Sequence, residues 1–247
     1  QMPDKCVDLT VTSPPYDNLR TYNGFSFDFE NVAKELYRIT KDGGVVVWVV
    51  GDATIKGSET GTSFRQALYF KEIGFNLHDT MIWEKPTFTA TGSLQSRYAP
   101  VFEYMFVVSK GKPKTFNPIK DKQNKRAGEK KHGTVRQING DTKPQSSLGR
   151  PINKFGQRHN VWRISGENSN INRTHPAQFP EQLANDHIIS WSNSGDLVFD
   201  PFMGSGTTAK MAYLTGRNYC GIDISEEYCE IARRRVEQAQ AQQSLFA

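Results

Sequence analysis

The sequence has few cysteines and no long hydrophobic run. Its three cysteines are too few and too scattered for a disulfide framework or a zinc site, and its five histidines show no ligand-like spacing. No apolar run approaches the roughly 18 residues of a membrane-spanning helix. Residues 1–5 have no apolar core like that of a signal peptide. We therefore expect a globular, cytoplasmic protein that needs no metal ion.

Positive charge is concentrated in one segment. Residues 109–173 carry 16 Lys and Arg against 4 Asp and Glu, whereas the rest of the chain carries 15 against 22. Concentrated positive charge attracts the phosphate backbone of nucleic acids. A solvated surface loop has a similar composition, so charge alone leaves both interpretations open.

Apolar periodicity predicts alternating strands and helices on both sides of the basic segment. Strands are predicted at 7–12, 45–50, 77–83, 104–108, 197–200 and 218–224, and helices at 28–39, 62–73, 180–191, 207–214 and 226–240. The alternation predicts an α/β fold with a mostly parallel sheet. Residues 110–172 are a poorly patterned insertion in which only 161–164 favour a short strand.

A glycine-rich turn between a strand and a helix is the first candidate for chemistry. The strand at 197–200 ends in Asp200 and runs into Pro-Phe-Met-Gly-Ser-Gly-Thr-Thr. Its glycines allow the backbone to approach a ligand at the carboxyl end of a strand, where doubly wound sheets bind ligands. The Lys-Ser/Thr of a phosphate-binding loop is missing, and Ala209 breaks the G-x-G-x-x-G pattern of a dinucleotide site. A plain tight turn is the remaining alternative.

A second acidic residue ends the next predicted strand. Asp223 follows Asp200 by 23 residues, and a carboxylate at that place can accept two hydrogen bonds from a ribose diol. Together the two motifs predict a site for a nucleoside-containing cofactor. A solvated aspartate at a strand end is the alternative for Asp223.

The third candidate is Thr-Ser-Pro-Pro-Tyr at 12–16. Its two prolines predict a rigid, extended loop directly after a strand. Such a loop can offer a hydroxyl and a carbonyl to the two hydrogens of a base amino group, and an aromatic face on which an extruded base stacks. A plain Pro-Pro turn is the alternative.

These segments resemble the amino-methyltransferases of DNA, which use S-adenosylmethionine to methylate N6 of adenine or N4 of cytosine. In that family S/D/N-P-P-Y/F is the catalytic loop and F-x-G-x-G the cofactor loop, and the resemblance covers nearly all of the chain outside 110–172. The catalytic loop comes first here, which is the motif order of the permuted β group. The resemblance implies a circularly permuted Rossmann-like methyltransferase sheet with a catalytic half at 1–109, a target recognition insertion at 110–173 and a cofactor-binding half at 174–247.

The resemblance also implies roles for individual residues. The catalytic loop is Ser13, Pro14, Pro15 and Tyr16, and the target-base pocket includes Trp83 and Lys85. The cofactor-binding residues are Thr12, His175, Pro176, Asp200, Pro201, Phe202, Gly204, Ser205, Gly206, Thr207 and Asp223, with Asp200 at the methionine end and Asp223 at the ribose. By charge, the residues expected to contact DNA are Lys122, Lys125, Arg126, Lys130, Lys131, Arg136, Arg150 and Arg158.

The substrate and partners follow from the same resemblance. Double-stranded DNA is the expected substrate, and cytosine N4 is favoured over adenine N6 because serine opens the catalytic loop more often in cytosine enzymes. No cysteine follows a proline as in enzymes that methylate cytosine C5. The alternatives are an RNA or protein methyltransferase and an inactive nucleic-acid-binding module of the same fold. A cognate restriction endonuclease and a homodimer are further partners that the resemblance suggests.

One part of the family pattern has no counterpart here. Members of the β group have a strand and turn before the position of Gln1 that contribute to the adenine pocket of the cofactor. The sequence leaves open whether preceding residues or another segment of the chain completes this pocket.

Overall fold

The computed structural model describes residues 2–15, 27–87, 96–165 and 180–244. These residues form two compact units, one comprising Gln1–Asn117 with Asn160–Ala247, and the other Pro118–His159. The predicted site residues Tyr16, His175 and Pro176 lie outside the described residues.

The chain alternates between strands and helices. The strands are β1 (Val7–Thr12), β2 (Thr40–Val50), β3 (Thr54–Ile55), β4 (Ser58–Glu59), β5 (Asn76–Glu84), β6 (Phe102–Ser109), β7 (Lys122–Gln123), β8 (Thr134–Arg136), β9 (Thr142–Pro144), β10 (Phe155–Gly156), β11 (Val161–Arg163), β12 (Leu197–Asp200) and β13 (Asn218–Gly221). The helices are α1 (Phe29–Ile39), α2 (Thr62–Glu72), α3 (Glu181–Trp191), α4 (Thr207–Leu214) and α5 (Glu226–Ser244).

The larger unit is built on a seven-stranded sheet in the order β11-β5-β6-β2-β1-β12-β13. Only β6 runs antiparallel to its neighbours in this sheet. The prediction of a mostly parallel sheet is therefore confirmed. Because parallel strands point the same way, the residues that follow β1, β12 and β13 meet at one edge of the sheet.

The central strands are apolar on both sides because the sheet is covered on both faces. In β2, Val45, Val47 and Val49 pack with α3 and α4 in one core cluster. The alternate residues Val46, Trp48 and Val50 pack with α1 and α2 in the other. This two-sided burial explains why the strand reads as a continuous hydrophobic run.

The largest differences between predicted and observed strand ends are in β2 and β13. Strands β5 and β6 are longer than predicted by one to two residues at each end. Strand β2 begins at Thr40, before its apolar run, with a register irregularity opposite β1. Strand β13 ends at Gly221 and not at 224. The chain there turns towards the glycine-rich loop, since the Met203 N–H donates to the Ile222 carbonyl at 2.9 Å.

The smaller unit contains two short antiparallel pairs, β7 with β10 and β8 with β9. Their residues are almost all exposed. Strand β11, within the sequence region expected to be the insertion, instead pairs in parallel with β5 at the edge of the main sheet. Within the described part of the chain, no helix is long and apolar enough to cross a membrane.

Candidate active site

The ends of β1 and β12 are held together by a buried carboxylate. Asp200 is only 1% exposed, and its Oδ1 accepts hydrogen bonds from the Thr12 hydroxyl at 2.6 Å and the Phe202 N–H at 3.0 Å. Its Oδ2 accepts from the Thr208 hydroxyl at 2.8 Å. Asp200 therefore connects the strand before the predicted catalytic loop with both ends of the glycine-rich loop.

The environment of Asp200 favours its neutral form. Burial raises its pKa to about 6, the three hydrogen-bond donors oppose that shift, and the nearby charge of Asp223 adds to it. The donors supplied by Thr12, Thr208 and the Phe202 backbone thus offset part of the desolvation of the Asp200 carboxylate.

Asp223 lies half-buried after β13. Its carboxylate accepts a hydrogen bond from the Gly204 N–H at 2.8 Å and another from the Ser225 N–H at 2.9 Å. A carboxylate has about four acceptor positions, so two remain for a ligand. The exposed side chains of Ile222 and Ile224 flank it; the sequence analysis missed both because they read as a continuation of the strand.

The glycine-rich loop lies against α5. Gly206 has φ +81°, and a Cβ atom there would approach the Ala232 Cβ to 2.7 Å. Glycine is therefore required twice, for the left-handed backbone and for the close contact. Ser205 and Thr207 are buried beside it, while Pro201 is half-buried.

One arginine of α5 fixes the loop further. Arg235 Nη1 donates to the Ser205 carbonyl at 2.9 Å, to the Ser205 hydroxyl at 2.8 Å and to the Thr207 hydroxyl at 3.2 Å. Its Nη2 donates at 2.6 Å to Glu181, which also accepts from Lys210 at 2.6 Å. Arg235 is not predictable as a site residue from the sequence, because three consecutive arginines, 233–235, do not reveal which one faces the loop.

The described part of the predicted catalytic loop directly follows β1. Ser13 and Pro15 are half-buried and Pro14 is buried. Ser13 thus directly follows Thr12, whose hydroxyl donates to Asp200. Phe202, expected at the cofactor, packs edge-on against Phe27 at 5.3 Å between ring centroids.

The two residues predicted for the target-base pocket, Trp83 and Lys85, interact with other side chains and backbone groups of the protein. The Trp83 indole is buried, and its Nε1–H donates to the Ile164 carbonyl at 2.9 Å. The Lys85 ammonium lies 4.9 Å from the centroid of the Trp83 ring and forms an ion pair with Glu103. The indole therefore forms part of the core, with Lys85 over one face of the ring.

The cations predicted to bind DNA all belong to the smaller unit. Arg158 donates through Nε to Asp121 at 2.8 Å, and Arg126 donates to Glu129 at 2.7 Å. The exposed residues of the predicted set are Lys122, Lys125, Arg126, Lys130, Arg136 and Arg150. Lys131 and Arg158 are half-buried. Among the described residues no group of three His, Cys, Asp or Glu is arranged to hold a metal ion.

Comparison with known proteins identifies the family. A family model described as DNA methylase, N6_N4_Mtase, matches residues 7–234. The chain belongs to the N6/N4 DNA methylase family. This confirms the predicted family and makes the protein a DNA methyltransferase that uses the family's methyl donor, S-adenosylmethionine.

Individual relatives agree with this assignment. The methyltransferase is 59% identical over 240 residues to the orphan methyltransferase M.BamHII of Bacillus amyloliquefaciens, across 94% of this chain and 89% of the relative. Its fold matches that of the PvuII DNA methyltransferase (cytosine-N4-specific), with a TM-score of 0.69 and 21% identity over 97% of this chain and 85% of that one. The M1.HpyAVI–SAM complex matches with a TM-score of 0.59 and 23% identity over 93% and 88% of the two chains. The latter two likenesses confirm the fold class.

Proposed function

We propose that this methyltransferase methylates the exocyclic amino group of cytosine, at N4, in double-stranded DNA. The observation that carries the proposal is the position of Ser13 at the carboxyl end of β1, next to the hydrogen bond that joins Thr12 to Asp200. A neutral serine hydroxyl, in place of a charged aspartate, heads the loop and suits the differently polarised amino group of cytosine.

Ser13 and Pro14 direct the amino nitrogen. The lone pair of a base amino group is delocalised into the ring, which makes the nitrogen a poor nucleophile. The Ser13 hydroxyl and the Pro14 carbonyl accept its two hydrogens, draw the nitrogen towards sp3 geometry and aim its lone pair. Orientation of this kind supplies at most ~7–11 kcal/mol of the barrier. Tyr16, outside the described residues, is proposed to stack on the extruded base.

The described residues fit the family's cofactor. S-adenosylmethionine, when bound, supplies a methyl group on a sulfonium centre. Asp223 retains acceptor positions for the ribose hydroxyls, and the exposed Ile222 and Ile224 offer apolar surface beside it. Gly204 and Gly206 hold the turn that leads into α4. The proposed ribose contact of Asp223 is thus compatible with its protein contacts.

We revise the role of Asp200. The resemblance implies a direct contact with the methionine end of the cofactor. Because Asp200 is 1% exposed and already accepts three hydrogen bonds from the protein, we propose that it positions Phe202 and Thr208 instead. Trp83 is likewise proposed to support the base pocket through Lys85, since its own ring lies in the core.

The smaller unit is proposed to hold the DNA. Residues 118–159 carry 11 Lys and Arg against 3 Asp and Glu. Each phosphate neutralised releases counterions, so binding through this unit weakens steeply with salt. Neutralising Lys122, Lys125, Arg126, Lys130 and Lys131 together is expected to flatten that dependence by up to ~0.9 in log–log slope per lost phosphate contact. An unchanged slope would place the DNA elsewhere.

Nucleoside mass spectrometry tests the methylated atom. Unmodified DNA made by the polymerase chain reaction is incubated with protein and S-adenosylmethionine, then digested to nucleosides. We expect N4-methyldeoxycytidine, strongly reduced with Ser13→Ala and unchanged with Ser58→Ala, a serine in the exposed β3–β4 hairpin. N6-methyldeoxyadenosine as the sole product would overturn the cytosine assignment and leave DNA methylation intact.

A further inference from the structure

The smaller unit contains a β-hairpin with an unusual tip. Strands β8 and β9 pair from Thr134 opposite Pro144 to Arg136 opposite Thr142. At the tip, Ile138 is fully exposed. An isolated exposed hydrophobic residue needs no explanation by itself, but Ile138 lies in a turn that is closed by hydrogen bonds.

Hydrogen bonds within the turn stabilise the tip of the hairpin. The Gln137 N–H donates to the Asp141 carbonyl at 2.7 Å, and the Gly140 N–H donates back to the Gln137 carbonyl at 3.0 Å. The Asn139 side chain donates to the Asp141 carboxylate at 2.8 Å. Gly140 has φ +91°, which closes the turn. Ile138 is therefore presented outward by a fixed turn.

Local structure does not explain an isoleucine at this position. Ile138 follows Gln137 in the four-residue turn 137–140. Residues such as Pro, Asp, Asn and Ser are favoured in turns of this kind. A β-branched apolar side chain that is fully exposed gains no packing contact there. Disagreement between a residue and its local structure is expected at functional positions.

The surroundings indicate what the side chain meets. Arg136 and Lys143 on the two strands supply positive charge, and Gln137 beside Ile138 carries an amide group of the kind that pairs with base edges. The Asn139 amide and Asp141 hydrogen-bond to each other within the turn. Cationic and amide side chains around a protruding apolar residue are the composition of DNA-kinking wedges, which enter between base steps and partly unstack them.

We propose that Ile138 is a wedge that inserts between stacked base pairs of duplex DNA. The inference rests on the proposed role of residues 118–159 in holding DNA. Contact between the Ile138 side chain and the opened base step offsets part of the cost of unstacking that step, a few kcal/mol. The partner is thus a base step and not a phosphate.

Salt dependence separates the wedge from the phosphate contacts. Because Ile138 is uncharged, we expect Ile138→Ala to weaken binding to a mixed-sequence duplex by about fivefold or more without changing the slope of log K against log salt. Ile138→Met, which keeps apolar bulk, is expected to stay within about twofold of wild type. The control Leu148→Ala removes a side chain of the same unit that is 50% exposed and is expected to bind as wild type does.

Plasmid unwinding gives a second readout. Closed circular plasmid is relaxed by a topoisomerase while saturated with protein, and its linking number is read after protein removal. We expect Ile138→Ala at equal occupancy to leave a smaller change in linking number than Ile138→Met or Leu148→Ala. Wild-type affinity and wild-type unwinding with Ile138→Ala would overturn the wedge. In that case, the variant that neutralises Lys122, Lys125, Arg126, Lys130 and Lys131 tests DNA binding by this unit separately. A flattened salt dependence in that variant would still support DNA binding by this unit, whereas an unchanged dependence would contradict it as well.

Discussion

The Thr12 hydroxyl donates a 2.6 Å hydrogen bond to the Asp200 carboxylate across 188 residues of sequence. The contact forms because β1 and β12 are parallel neighbours, with Thr10 opposite Phe199. Thr12 immediately precedes Ser13, the first residue of the predicted catalytic loop, and Asp200 immediately precedes the glycine-rich loop. This hydrogen bond therefore links the two halves of the site.

Removing the Thr12 hydroxyl should destabilise the protein. Thr12→Val keeps the shape of the side chain but deprives a buried carboxylate of a donor, so we expect the free energy of unfolding to fall by about 1–3 kcal/mol. Thr10→Val is the matched control. Thr10 is buried in the same strand, and its hydroxyl has no hydrogen-bond partner among the described residues. Urea unfolding should show Thr10→Val unchanged or more stable; equal losses in both variants would contradict the role of the Thr12–Asp200 bond.

The raised pKa of Asp200 should appear as pH-dependent stability. Burial raises the pKa from 3.8 to about 6 in the folded state, so the folded protein binds more protons than the unfolded chain between these values. The contribution of Asp200 to stability therefore decreases as pH rises from about 4 to about 6 and is level above that.

The variant Asp200→Asn isolates this effect. Relative to wild type, its free energy of unfolding should rise by about 1–3 kcal/mol as pH increases from about 4 to about 7. Urea unfolding at a series of pH values measures the difference. A difference that is flat or falls with pH would show that the folded-state pKa of Asp200 is not raised.

Local sequence patterns predicted most strands of the sheet but not which strands pair with each other. The apolar run Val45–Val50 and the strand Leu197–Asp200 were predictable because strands covered on both faces are hydrophobic throughout. The pairing of β11 with β5 depends on a contact between residues about 80 positions apart, such as Trp162 with Trp83. Three-residue strands carry too little periodicity to reveal such a partner.

The same distinction holds for the candidate site. Motif spacing predicted Ser13, Asp200 and Asp223 as site residues. In the structure Asp200 is the last residue of β12, while Ser13 and Asp223 follow β1 and β13, and these three parallel strands end at the same edge of the sheet. Burial was not predictable from the motifs. Asp200 accepts hydrogen bonds from residues on three separate segments, and only the folded chain shows that its oxygens face the protein.

Asp223 should contribute directly to cofactor affinity. We expect Asp223→Ala to weaken S-adenosylmethionine binding by about 1–3 kcal/mol, because it removes charge-assisted hydrogen bonds to hydroxyl groups and releases the Gly204 N–H. Titration calorimetry measures the change. Asp42→Ala, which removes an exposed carboxylate paired with Lys5, is the control and should bind normally. Unchanged cofactor affinity in Asp223→Ala would contradict the proposed contact between Asp223 and the ribose.

Arg235 should act on cofactor binding through the loop. Arg235→Met removes the donors to Ser205 and Thr207, and we expect the KM for S-adenosylmethionine to rise on the order of tenfold with a smaller change in kcat. Arg235→Lys should recover part of the loss. Arg234→Met, on the same helix with an exposed side chain paired to Glu230, serves as control. A loss confined to thermal stability, with KM unchanged, would count against loop positioning.

The most direct test of the account compares methyl transfer and cofactor binding in Ser13→Ala. Unmodified duplex DNA is incubated with S-adenosylmethionine carrying an isotopic label in its methyl group. Label is measured in the purified DNA bases, and cofactor affinity is measured by calorimetry on the same preparations. We predict labelled base amino groups with wild type, and with Ser13→Ala a loss of transfer at nearly unchanged cofactor affinity. The placement of the catalytic loop would be contradicted if Ser13→Ala bound the cofactor poorly but retained full transfer per bound cofactor. The function itself would be contradicted if the wild-type protein left no label on base amino groups.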